Sequence, residues 1–255
     1  DSKAKKIAEG KIINSENVTL DSILSAVKIY IALKNEIQSE ENVIGVGMNC
    51  LNESYYSDTT PCLAYNWLYE EDELLWACEA DTMALITETI VNKALDKPIM
   101  MSNVYPFLVG KAAIKHEKIE EFPEVDNPEN HLLVVHCGYM GIMPESFADN
   151  WTLRPKVLEI VDENAIMVDA RYPEGNITLV KIHPSLEKIQ VVEGKLKGYK
   201  QYPGTDCRNG ALIKINNGYK LMEELYSHHN CISIGNISAE LKFVSKILGL
   251  EMEII

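Results

Sequence analysis

The sequence predicts a two-part molecule, an α/β domain with parallel strands followed by a β-barrel-like antiparallel domain. Three observations carry this expectation. Over 20–40, Ile23, Leu24, Val27, Tyr30, Leu33 and Ile37 recur at helical spacing. A strand–helix–strand rhythm runs from Leu74 to about Asn103. Beyond about residue 107 the helical periodicity thins, and short β-rich runs separated by Gly, Pro, Asn and Asp take over. The expected division is therefore 1–106 for the α/β part and 107–255 for the β part.

Residues 2–14 and 20–40 read as helices, with Thr19 or Asp21 placed to cap the second. The apolar run 42–48, with two glycines, suits a buried strand, and its lone Gly-x-Gly is too weak to mark a phosphate loop. The stretch 51–72 is polar and reads as irregular. Leu74 to Cys78 reads as a strand, and Asp81 to Leu95 as a helix with Met83, Ile86, Ile90, Val91 and Ala94 on one face. Lys97-Pro98 ends that helix, and 99–101 is a second strand. A strand, helix and strand in so short a span form a βαβ unit, whose strands should be parallel neighbours. In the second part the runs 131–136, 165–169, 176–182, 190–196, 211–215 and 231–234 suggest an antiparallel barrel or sandwich. A helix over 239–248 and an apolar tail over 250–255 close the chain.

Composition excludes several classes. Hydrophobic residues make up 46% and charged residues 24%, as in a soluble globular protein. No apolar run reaches the length of a membrane span and no leader is evident, so a cytoplasmic protein is expected. The formal charge of −14 disfavours nucleic acid and anionic membranes, which need a basic face. Six cysteines stand at 50, 62, 78, 137, 207 and 231 without a C-x-x-C pair, which argues for reduced, mostly buried thiols. There is no Gly-x-Ser-x-Gly elbow, Walker loop or His-Glu-x-x-His, so hydrolase and NTPase chemistry has no support.

In parallel sheets, ligands bind beyond the carboxyl ends of the strands. Glu79 lies just past the first strand of the βαβ unit and Asn103 just past the second, so both side chains should reach one site. The competing reading is that Glu79 and Asp81 only favour the start of the helix. The pair His228-His229 precedes the strand 231–234, where adjacent side chains face opposite ways, so at most one would hold a metal. His136 ends an apolar strand, as either a core histidine or a functional one.

These residues carry a resemblance. Thr60-Pro61-Cys62, Ala77-Cys78-Glu79-Ala80-Asp81 and Lys97-Pro98 through Met101-Ser102-Asn103-Val104 come first. His136-Cys137-Gly138, Val192-Glu193-Gly194 and Asp206-Cys207-Arg208 come next, then Ser227-His228-His229 and Ile234-Gly235-Asn236. In this order, from about residue 43 to the end, the chain resembles the L-fucose isomerase family, and its paired histidines resemble those of the L-arabinose isomerases. The resemblance implies two α/β domains followed by a β-barrel-like domain. This chain would hold the second α/β domain and the barrel, without the Rossmann-like first domain. It implies a homo-oligomer acting on a small-molecule sugar, with sites drawing on a neighbouring subunit.

In that family a divalent metal, typically manganese, is held by a glutamate, an aspartate and a histidine. The two carboxylates also move protons as an aldose becomes a ketose through an enediol. Carried over by position, Glu79 and His229 match, and Asn103 stands where the aspartate is expected. Glu79 and Asn103 take the catalytic positions, Glu79, Asn103 and His229 the metal, and His136, Asp81 and His228 the substrate side. A hard divalent ion suits carboxylate oxygen and imidazole nitrogen, and it polarises a carbonyl while a carboxylate shuttles the proton. Asn103 offers an amide oxygen but neither a negative charge nor a base. Two further readings therefore stand beside the isomerase, a non-catalytic sugar-binding or regulatory homologue and a carbohydrate enzyme of another reaction type. The isolated chain is expected to be a poor isomerase.

Overall fold

A capped, apolar-striped segment sets the longest helix. In the computed structural model, which describes residues 2–10, 18–50, 57–106, 125–136, 143–156, 161–201 and 209–255, helix α2 spans Leu20–Ser39 and comes after α1, Ser2–Gly10. The Thr19 hydroxyl accepts the Ser22 N–H at 3.1 Å, satisfying one of the open donors of the first turn. Residues 11–14 of the expected first helix, and Cys137 and Cys207, lie outside the described residues.

The described residues form two compact units, each made of two stretches of chain: Asp1–Asp81 with Cys137–Arg171, and Thr82–His136 with Tyr172–Ile255. The first contains β1 (Gly45–Gly47), α3 (Cys62–Asp72) and β2 (Leu75–Ala77). It also contains the antiparallel pair β5 (Asn150–Pro155) and β6 (Ile166–Arg171). β1 and β2 are parallel, with Gly45 opposite Leu75 and Gly47 opposite Ala77. Helix α3 falls within the stretch expected to be irregular. Every residue from Cys62 to Leu68 is buried, so the helix has no polar stripe to set off an apolar one. Tyr30 of α2 meets Trp67 of α3 edge-on at 5.8 Å between ring centres. β5 is a further strand with no clear mark in the sequence, and Trp151 anchors it by donating to the Met143 carbonyl at 2.9 Å.

The second unit is a closed six-stranded antiparallel barrel. Its strands are β3 (Ile99–Pro106), β4 (His131–Val135), β7 (Gly175–Ile182), β8 (Lys188–Gln201), β9 (Asn209–Ile215) and β10 (His229–Ile234). The order is β8-β7-β10-β3-β4-β9, and the ring closes because β8 also pairs with β9. The long strand β8 makes this possible. Its first part pairs with β7, its later part with β9, and a bulge between Leu196 and Tyr199 bends it. Short β11 (Glu251–Ile254) adds to β8 in parallel. Helices α4 (Thr82–Leu95), α5 (Gly218–Glu224) and α6 (Ser238–Leu248) belong to the same unit. No helix among the described residues is long and apolar enough to cross a membrane.

Register and burial identify the inside of the barrel. The Cys231 thiol donates to the Ala84 carbonyl of α4 at 3.6 Å, so Cys231 and its cross-strand partners Met101 and Val180 point outward. The alternate positions, among them Met100, Leu132, Val134, Leu179, Ile213 and Ile232, are buried and fill the interior. Each such side chain contributes about 1.5–3 kcal/mol of burial.

Two expectations are corrected here. The strands on either side of α4 do not form a βαβ pair. β2 pairs only with β1 among the described strands, whereas both edges of β3 are taken by antiparallel neighbours, β4 and β10. The compact units accordingly do not divide at 106/107, because β3 is a barrel strand and 137–171 returns to the first unit. The buried face of α4 also differs from the expected one, being Ala84, Thr87, Glu88, Val91 and Asn92. Thr87 is there because its hydroxyl accepts the Ile182 N–H at 3.1 Å.

Candidate functional site

Antiparallel pairing places Asn103 of β3 directly opposite His229 of β10, with Val135 of β4 completing the row. Directly opposed residues share a face. This row lies beyond Met101 and Cys231 along the outward face, the face on which α4 lies. The Asn103 Oδ1 atom is buried and has no hydrogen-bond partner among the described residues. His229 is buried to 9% exposure, and its backbone N–H donates to the Ser227 hydroxyl at 3.1 Å. The Asn230 amide donates to the Ser227 carbonyl at 3.0 Å, so Ser227 pins the start of β10 from two sides.

His228 behaves differently from the expectation. β10 begins at His229, so strand alternation does not apply to its predecessor. The two rings lie 4.2 Å apart at 49° rather than on opposite faces. His228 is exposed, while its carbonyl accepts the Val104 N–H at 2.8 Å. His136 comes directly after the last residue of β4 and is fully buried.

Glu79 and Asp81 belong to the first unit. Glu79 sits in the short turn Cys78–Ala80 after β2, with left-handed φ and ψ of 54° and 23°. Ala80 is also left-handed, at φ 54°. Two consecutive non-glycine residues in this region hold a strained backbone. The turn is fastened by the Ala80 N–H to the Met48 carbonyl at 2.9 Å and the Asp81 N–H to the Cys78 carbonyl at 3.0 Å. Gly47 lets the strands come close enough, since a Cβ there would fall 3.1 Å from that of Ala77. The neighbour of Glu79's strand is thus β1, and the expectation that Glu79 and Asn103 cap adjacent parallel strands is overturned.

Just past the end of β1 stands Cys50, whose sulfur lies 3.6 Å from that of Cys78. No disulfide joins Cys50, Cys62, Cys78 or Cys231 in the structure, and all four are buried. Burial, then Cys78, Cys50 and Cys62, push the Tyr65 hydroxyl well above its ordinary pKa. The sequence expectations did not single out this cluster. Its signal was present: each of two short apolar strands is followed within three residues by a cysteine.

Two segments named in the resemblance meet in the second unit. Glu193, Gly194 and Asn236, with Asn176, Lys195 and Asn216, line an open polar cavity of about 190 Å³. The Gly235 N–H donates to the Asn176 carbonyl at 2.8 Å, and the Thr178 hydroxyl donates to the Gly235 carbonyl at 2.9 Å, holding one wall.

Compared with models of known protein families and with curated proteins, the sequence matches none.

Proposed function

We propose that this chain is part of a divalent-metal-dependent aldose–ketose isomerase, with Asn103 and His229 on the metal side of its site. The observation that supports this reading is the direct opposition of Asn103 and His229 across β3 and β10, with a buried amide oxygen that has no hydrogen-bond partner among the described residues. A desolvated oxygen of this kind loses its interaction with water and gains by meeting a cation or a hydroxyl. An amide oxygen and an imidazole nitrogen are suitable donors for manganese. Glu79 enters the reading from the resemblance alone, as third ligand and proton carrier. When bound, such an ion polarises a sugar carbonyl. The protein's own part is to hold the imidazole and amide at fixed positions on two hydrogen-bonded strands.

A second reading is a sugar-binding homologue without isomerase activity. It is favoured by the neutral side chain of Asn103, which cannot act as a base, and by the amide-rich cavity at Asn176, Asn216 and Asn236.

The test is calorimetric titration of manganese into the full chain and into Asn103→Ala and His229→Ala, with far-ultraviolet circular dichroism to check the barrel. Binding to the full chain that weakens at least about tenfold in both variants, a loss of about 1.4 kcal/mol each, supports the metal reading. Equal affinities overturn it. Sugar binding without manganese binding supports the second reading instead.

A further inference from the structure

The carboxyl ends of paired parallel strands are where α/β units gather functional groups, and in the first unit that place holds two thiols. Cys50 comes after β1 and Cys78 after β2, and β1 and β2 are hydrogen-bonded neighbours. Their sulfurs are 3.6 Å apart across 28 residues of sequence. A disulfide requires a separation of about 2.05 Å, so the sulfurs need to close by only about 1.5 Å. Cys50 is 4% exposed and Cys78 is 0% exposed, which excludes bulky protein oxidants.

We propose that Cys50 and Cys78 form an oxidation site, closing to an intramolecular disulfide with a small peroxide such as hydrogen peroxide. One sulfur attacks a peroxide oxygen and breaks the O–O bond, giving a sulfenic acid and one water. The second sulfur then attacks the sulfenic sulfur, the S–O bond breaks and a second water leaves. Two thiols are oxidised to one disulfide, and one peroxide is reduced to two waters. The bond ties the segment after β1 to the left-handed turn at Glu79 and Ala80, which already leans on Met48 through a backbone hydrogen bond. Closing it therefore restrains the backbone that carries Glu79. The observations behind this site use neither Asn103 nor His229, and the thiol map reads it separately from manganese binding, although the restrained turn carries Glu79.

The experiment uses the full chain, reduced, desalted and exposed to a small excess of hydrogen peroxide. The protein is then alkylated in denaturant, digested without reductant and mapped by mass spectrometry. The expected result is a Cys50–Cys78 peptide pair from monomeric protein, with two fewer titratable thiols and reversal by dithiothreitol. The same pair should survive in Cys62→Ser and vanish in Cys50→Ser. A wild-type map showing any other cysteine pair overturns the proposal, as does sulfinic acid at Cys50 or Cys78 without a cross-link. So does retention of both thiols while other cysteines oxidise. The wild-type map decides the matter even if a variant fails to fold.

Discussion

Asn103 and His229 face each other across the antiparallel ladder of β3 and β10, on the outward side of a closed barrel. Neither residue is near the other in sequence, and the pairing depends on a register that runs from Ile99–Ser233 to Asn103–His229. A slip of one residue would turn the side chains of one strand to the opposite face.

Replacing Asn103 by aspartate should tighten manganese binding by at least about tenfold, because a carboxylate beside a divalent ion adds a full charge attraction in a desolvated place. Without metal the same change should lower stability, since the buried amide oxygen of Asn103 becomes a charge that no ion compensates. Calorimetry, with thermal melts in the presence and absence of manganese, checks both. Equal affinities for Asn103→Asp and the unaltered chain would place residue 103 away from the metal.

Ala80→Gly should stabilise the first unit by about 1 kcal/mol, because glycine adopts the left-handed conformation without the Cβ penalty. Ala80 holds φ 54° in the turn after β2. Urea unfolding reads the change, and a loss of stability would mean that the turn is not left-handed in solution.

Gly218→Ala should be strongly destabilising. A Cβ on Gly218 would fall 1.6 Å from the Glu129 carbonyl oxygen, so the backbone at the start of α5 must move. Such overpacking against main chain costs about 2–3 kcal/mol. A denaturation midpoint equal to that of the unaltered protein would refute the contact.

Glu253→Gln should change how stability depends on acid. Lys188, which lies 2.6 Å from Glu253, and then the Tyr226 hydroxyl hold the Glu253 carboxyl below its ordinary pKa of 4.5. A lowered folded pKa means that the native state favours the ionised form. Its contribution is therefore complete above about pH 4.5 and is lost as pH falls through the lower folded value. The stability difference between the unaltered chain and Glu253→Gln should shrink on acidification below pH 4.5 and be unaffected by added alkali near neutrality. Partial exposure of the pair keeps the effect small and sensitive to salt.

Local patterns determined a good deal. The apolar stripe and the Thr19 cap marked α2, and turn residues between apolar runs marked β4, β6, β7, β8, β9 and β10 as strands. The same patterns marked the change from helix-rich to strand-rich chain, whereas Asn103 and His229 were named together only through the resemblance. Pairing was another matter. Strand periodicity tells which side chains share a face but not which strand lies alongside, because hydrogen-bond partners are chosen by tertiary contacts far away in sequence. That is why β3 read as the parallel partner of β2, whereas in the fold both of its edges are satisfied by β4 and β10. It is also why α3, buried on every side from Cys62 to Leu68, showed no stripe, and why the meeting of Cys50 with Cys78 could be found only once β1 and β2 were seen to pair.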